Sequence, residues 1–207
     1  MNEHNELSTL MQLYGSDKYG GHHNYTTLYH EIFCGIKTEV KNLLEVGIGT
    51  KNPSIKSNMA GFRSSKPGGS LRAWRDYFVN AQVYGLDIDK DILFNEERIK
   101  TFYCDQTNKD DIANFLNSEH IKNLEFDIII DDGLHTYDAN YCFLINSFYK
   151  LKPGGIYFVE DVRRNTEQSF KDQQQKLKDM LSFSEFDMHE IPHPRNNGDN
   201  RLLVIKK

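Results

Sequence analysis

The chain has 207 residues, with 25 basic against 30 acidic side chains, a net charge of −5 and 38% hydrophobic residues. That length suits one domain with a full core and is short for two, and the acidic balance argues against a surface built to neutralise nucleic-acid phosphates. The polar, acidic start MNEHNELSTL is no secretory signal, no apolar run approaches the ~20 residues of a membrane helix, and three scattered cysteines, Cys34, Cys104 and Cys142, suit a reducing cytoplasm.

Residues 1–35 read as a helical or irregular lead-in. Within it, His22 and His23 in YGGHHNYTTLY read either as a solvated loop or as part of a lid over a ligand. The first strand signal is NLLEVGIG, ending in Gly47 and Gly49. A dinucleotide fingerprint would need glycine at position 52, where Asn52 stands, and a long segment, 50–69, precedes the next helix. The tight phosphate-cradling turn is therefore not indicated, and a ligand without a pyrophosphate fits better. Leu71, Trp74 and Phe78 then share a helical face, with Ser70 as its expected N-cap.

Further strand signals follow in AQVYGLDID, IKTFYCD, FDIIIDD and GGIYFVED. After FDIIIDD, Tyr141, Leu144, Phe148 and Leu151 are spaced as one helix face. Weaker runs, DMHEI and RLLVIK, flank the turn-rich RNNGDN, which predicts a hairpin and an antiparallel final strand. His189 and His193 near this hairpin read as surface residues or as walls of an acceptor pocket. The alternation of strands and helices predicts an α/β single domain over 1–207. Its expected form is a Rossmann-like doubly wound sheet, mostly parallel with an antiparallel last strand, helices covering both faces.

Ligands of such sheets bind beyond the carboxyl ends of the strands. Here those ends carry Glu45, Asp87, Asp105, Asp131–Asp132 and Glu160–Asp161 in succession. Like charges gathered on one edge repel, so the pattern calls for cations or hydrogen-bond donors to receive them. Asp87 is placed to accept both hydroxyls of a ribose. Asp105 could face an adenine amino group or cap the helix of DQTNKDDIANFL. The strand-end acids, free of thiolates, form a hard oxygen site suited to Mg²⁺, and His135 in DDGLH is the right type for a general base.

LLEVGIG, the acid of YGLDID, the aspartate of FYCDQ and KPGGIYFVED resemble class I S-adenosylmethionine-dependent methyltransferases. More narrowly, GGSLRAWRDYF, IIDDGLHTYD and VEDV resemble the magnesium-dependent macrocin- and mycinamicin-type sugar O-methyltransferases. YGSDKYGGHHNYTTLYHEIF is similar to the leading segment of relatives associated with bacterial polysaccharide synthesis. The resemblance implies S-adenosylmethionine and Mg²⁺ as cofactors and a sugar or nucleotide-linked sugar as acceptor. It implies His135 as the catalytic base, Asp132, Glu160 and Asp161 as metal ligands, and Gly47, Ser70, Asp87 and Asp105 around the cofactor. The same resemblance hints at Lys18 and Tyr25 in the leading segment as contacts to cofactor or acceptor, a hint too weak to place either in the site. Asp131 stays open between a supporting contact behind the metal and a cofactor contact. Segment 50–69 is longer than the corresponding loop of the macrolide enzymes, so the acceptor stays open too. Self-association is a further expectation, while nucleic acid and membrane are not expected partners. The competing readings are an NAD-dependent oxidoreductase and a non-catalytic cofactor-binding module.

Overall fold

The structure, a computed structural model, describes residues 4–62 and 64–207. Two short helices, α1 (Glu6–Tyr14) and α2 (Thr26–Phe33), lead into β1 (Asn42–Val46). Then come α3 (Gly69–Tyr77), β2 (Gln82–Asp87), a two-residue β3 (Asn95–Glu96), β4 (Ile99–Tyr103) and α4 (Lys109–Leu116). The second half holds β5 (Phe126–Asp131), α5 (Tyr137–Ser147), β6 (Leu151–Val159), α6 (Arg164–Leu181), β7 (Glu185–Glu190) and β8 (Arg201–Lys206).

The strands form one sheet in the order β3-β4-β2-β1-β5-β6-β8-β7. β4, β2, β1, β5 and β6 are parallel; β8 runs antiparallel to both its neighbours, and β3 antiparallel to β4. The expected architecture therefore holds. From β1 the chain moves outward through β2 and β4, then returns to β5 on the other side. The carboxyl ends of β1 and β5 thus flank the point where strand order reverses, the usual ligand crevice of such sheets.

Period-two alternation divides the core into two layers. Leu43, Ile128, Ile130, Ile156, Phe158, Leu202 and Val204 face α1, α2 and α3, where Tyr29, Phe33, Trp74 and Phe78 pack on them. Leu44, Ile129, Tyr157, Val159, Leu203 and Ile205 face the other way, onto α4, α5 and α6 with Phe115, Phe143 and Phe170. The same parity fixes the acids. Glu45 and Glu160 fall on the α1–α3 side, while Asp131 falls on the α4–α5 side.

Three local expectations are corrected. Ser70 is not an N-cap: α3 starts at Gly69, capped by Gly68 at φ 69°, because the Ser70 hydroxyl turns inward to Glu45 at 2.8 Å. Asp105 does not cap α4 either. Asn108 does, accepting from the Asp110 amide at 2.9 Å. Leu151 belongs to β6, since α5 ends at Ser147 and a 3₁₀ turn, Phe148–Lys150, re-aims the chain. The 18-residue α6 carries only Thr166, Phe170 and Leu177 as buried residues, a stripe too thin to stand out among its lysines and glutamines. Among the described residues no helix is long and apolar enough to cross a membrane.

Candidate active site

A cavity of roughly 490 Å³ opens at the reversal point, lined by Gly47, Asp87, Asp105, Asp132, His135 and Asp161 among others. Residues 15–17, 22–23 and 54–59 contribute to its wall. Its size and placement suit a cofactor with a small acceptor.

At the β2 end, Asp87 is 5% exposed and locked by backbone amides: Ile48 donates to Oδ2 at 2.9 Å and Asp89 to Oδ1 at 2.8 Å. Burial pushes its carboxyl up, and the amides pull it part of the way back. Each oxygen keeps further lone-pair capacity toward the cavity. Asp105, beyond β4, uses Oδ1 for a local turn, accepting from the Thr107 amide at 2.9 Å and its hydroxyl at 2.7 Å. Gly47, at φ 86°, admits the main chain of Asp132, with which a Cβ would collide. Ser70 lines the cavity, but its hydroxyl serves Glu45.

The DDGLH turn leaves β5 in a shape that few sequences allow. Gln106 reads it from both sides, donating to Asp131 Oδ1 at 3.0 Å and accepting from the Leu134 amide at 2.6 Å. Gly133 between them has no room for a Cβ against the Gln106 side chain. Asp131 is fully buried, and burial pushes its carboxyl up to about 6. It faces α5, where Asn140 lies, and through Gln106 it supports the turn. His135 and Asp161 both sit on left-handed backbone, φ 58° and 54°, a conformation uncommon for such residues and often associated with function.

Those two turns bring Asp132, His135 and Asp161 together, with one ligand atom of each within 4.8 Å of the others. The imidazole lies between the carboxylates, Nε2 3.1 Å from Asp132 Oδ1 and Nδ1 3.3 Å from Asp161 Oδ2. Burial works against charge on His135, but Asp161 and Asp132 outweigh it and raise its pKa to about 10. Glu160 lies apart from this trio. Strand parity turns it into the α1–α3 layer, where Tyr29 donates to Oε1 at 2.6 Å and Lys18 to Oε2 at 2.7 Å.

Lys18, which sequence reading offered only as a weak candidate for contact with cofactor or acceptor, is held among strand-end acids. Its ammonium, 1% exposed, touches Asp132 Oδ2 at 2.5 Å, Glu160 Oε2 at 2.7 Å and Glu45 Oε1 at 3.3 Å. Burial opposes charge on Asp132, yet Lys18 first and His135 next hold its pKa down at about 2. His23 is likewise no solvated loop residue: it is 6% exposed, stacks on Tyr25 and approaches Asp161 Oδ1 at 3.4 Å. Tyr25 donates to that oxygen at 2.7 Å. His22 packs edge-on against Phe62, while the His193 ring caps a turn, accepting from the Asn196 amide at 3.0 Å. His189 lies half-buried on β7. The advance signs of these contacts were the polar, aromatic richness of YGSDKYGGHHNYTTLY and its reading as a lid.

The fold is that of the class I methyltransferases. The methyltransferase MycE of the mycinamycin pathway, solved with Mg and SAH, superposes with a TM-score of 0.74 at 24% identity, over 98% of this chain and 54% of that one. A caffeoyl-CoA O-methyltransferase-like protein from Staphylococcus aureus shares the fold at a TM-score of 0.58 and 15% identity. No family model matches the sequence. Within the class, the chain is a relative of the macrocin- and mycinamicin-type sugar O-methyltransferases. It is 34% identical over 158 residues to mycinamicin VI 2''-O-methyltransferase of Micromonospora griseorubida, covering 76% of this chain and 36% of that protein. To demethylmacrocin O-methyltransferase of Streptomyces fradiae it is 32% identical over 158 residues, again with 36% of that protein covered. The chain thus spans little more than a third of the length of the curated relatives it matches.

Proposed function

We propose that the chain transfers a methyl group from S-adenosylmethionine to a hydroxyl of a sugar borne by a small molecule or a nucleotide, assisted by Mg²⁺. The observation that carries this reading is the meeting of Asp132, His135 and Asp161 beside a cavity at the reversal point. Its support from relatives is that proteins 30–34% identical are named as O-methyltransferases of glycosylated compounds.

The two carboxylates of this group fit a hard dication, with no thiolate beside them and the imidazole left as the base. Asp132 and Asp161 would hold it directly. Glu160, the third acid expected there, stands one Lys18 ammonium away and shares that ammonium with Asp132. When bound, Mg²⁺ would acidify a coordinated hydroxyl, and the sulfonium cofactor would supply an electrophilic methyl.

The chain's own residues account for the rest. Asp87 and the Gly47–Gly49 turn orient the nucleoside half of the cofactor, and segment 54–62 screens the centre from water. His135 takes the hydroxyl proton on a ring nitrogen. In this structure the imidazole is held charged by its two carboxylates. A cation held by Asp132 and Asp161 would compete with that charge, and His135 would then serve as a neutral base. Holding acceptor and donor in line should contribute much of the acceleration. We place the reaction in the cytoplasm, in keeping with three unpaired thiols.

The test is incubation with S-adenosylmethionine, Mg²⁺ and a panel of methyl glycosides and nucleotide-linked sugars. A product heavier by about 14 daltons and lost on EDTA treatment is expected. Full activity in EDTA would sink the metal assignment. An NADH-dependent fluorescence change with no methyl transfer would favour the oxidoreductase alternative.

A further inference from the structure

Among the described residues, five other than glycine sit on left-handed backbone, and three of them, Ser57, His135 and Asp161, meet at one imidazole. Such conformations persist where the surroundings impose them, and they gather at functional sites. His135 and Asp161 lie in the turns that leave β5 and β6. Ser57 belongs to neither turn. It sits exposed in the segment between the glycine turn after β1 and α3, and its hydroxyl lies 3.1 Å from His135 Nδ1, across 78 residues of sequence.

The segment is built to bring it there. The Met59 amide donates to the Thr50 carbonyl at 2.7 Å and closes residues 50–59 on themselves. Inside, the Ile55 amide donates to the Asn52 carbonyl at 3.1 Å, and the Asn58 side-chain amide to the Ile55 carbonyl at 2.7 Å. At its base the Thr50 hydroxyl donates to Asp89, which ties the closed segment to the turn after β2. A compact loop with joined ends and its own internal bonds can present a side chain at a fixed place. His135 needs such a partner. A base works best when a third group holds its ring and sets which nitrogen carries the proton. The other neighbours of the ring are Asp132 at Nε2 and Asp161 at Nδ1, 3.1 and 3.3 Å away. Both are the acids offered to the cation, so Ser57 is the neighbour left to the imidazole alone.

We infer that Ser57 is the positioning residue of His135: its hydroxyl oxygen accepts from Nδ1–H and leaves Nε2, on the Asp132 side, free to take the acceptor's proton. The assignment rests on the methyltransferase reading. Nitrogen-15 NMR of the chain with Mg²⁺ and S-adenosylhomocysteine reads the tautomer directly. The proton of neutral His135 is expected on Nδ1 in the wild type and is expected to move toward Nε2 in Ser57→Ala. Turnover of the glycoside that proves to be methylated should fall about tenfold or more in that variant, the usual cost of losing a group that orients a functional imidazole. Its KM and the Kd of S-adenosylhomocysteine should stay within about twofold. Ser57→Gly separates the hydroxyl from the backbone, because glycine adopts positive φ freely, and the same fall is expected there. A wild-type proton on Nε2, a tautomer unchanged in Ser57→Ala, or a full rate in Ser57→Gly would overturn the assignment. So would a lower KM at unchanged turnover, which would make the hydroxyl an obstacle to the acceptor. A chain that binds neither Mg²⁺ nor S-adenosylhomocysteine would instead remove the methyltransferase reading on which the assignment stands.

Discussion

The two ends of the cavity are held by different physics. At the β2–β4 end, Asp87 and Asp105 are fixed by amides and hydroxyls two residues away or on the neighbouring strand's turn. At the β5–β6 end, side chains from the lead-in cross more than a hundred residues of sequence to bind strand-end acids: Lys18 to Asp132, Tyr29 to Glu160, Tyr25 to Asp161. The first end is a set of local turns that would form around any tenant. The second is a buried ion cluster whose members hold one another, so removing one leaves the others uncompensated. The nucleoside end should therefore tolerate change and the other end should not.

The largest expected effect lies at the ion-cluster end. His135→Ala should reduce methyl transfer about 10²- to 10⁴-fold, the usual contribution of a general base, while the Kd for S-adenosylhomocysteine stays near its wild-type value. Asp132→Asn should lower the rate as strongly and also weaken Mn²⁺ binding followed by electron paramagnetic resonance. If Asp132→Asn bound Mn²⁺ like the wild type, the metal would have to sit elsewhere.

Next comes Lys18→Met, which would strand Glu45, Asp132 and Glu160 without their shared cation. Breaking a buried pair from one side typically costs about 3–5 kcal/mol, to be read from urea unfolding at pH 7. A loss below about 1 kcal/mol, the size of an exposed pair, would show that the cluster contributes little to folding. Lys18→Arg offers a useful contrast, because the longer fork keeps the charge but cannot occupy the same enclosed position without displacing one carboxylate.

These residues also mark the boundary of what the sequence could tell. The strands announced themselves because each is a short apolar run, and parity then carried Asp132 and Asp87 to the strand ends. His135 was legible because it follows Asp132 by three positions. For the lead-in, a lid over a ligand was one of two readings, but its partners were not legible, since nothing in YGSDKYGG encodes an acid 114 residues away. Glu160 shows the same limit from the other side. Its place at a strand end was evident and parity gives its side of the sheet, but the partners that meet it there, Tyr29 and Lys18, come from the lead-in. The helix cap expected at Ser70 failed for a related reason, an inward acid at Glu45 outcompeting the local amide.

At the β2 end the effects should be smaller. Asp87→Asn keeps the shape and one amide-accepting oxygen, so cofactor affinity should fall by about 10- to 100-fold, the worth of a hydrogen bond to a charged acceptor. Turnover at saturating cofactor should change little, and a large fall there would place Asp87 in the chemistry instead.

The smallest effect, at Asp105, separates its two possible roles. Oδ1 accepts both bonds from Thr107, so Asp105→Ala should cost about 0.5–1.5 kcal/mol of stability through the turn alone. If the carboxylate also faces the adenine amino group, a cofactor product bearing hypoxanthine should bind the wild type more weakly, because its C6 carbonyl oxygen would confront the carboxylate. In Asp105→Ala that discrimination should shrink, since neither attraction nor repulsion remains. Measuring S-adenosylhomocysteine and S-inosylhomocysteine against both proteins closes the cycle. Equal discrimination in the two proteins would confine Asp105 to the turn, and the local end of the cavity would then recognise its ligand through Asp87 and the glycine turn without it.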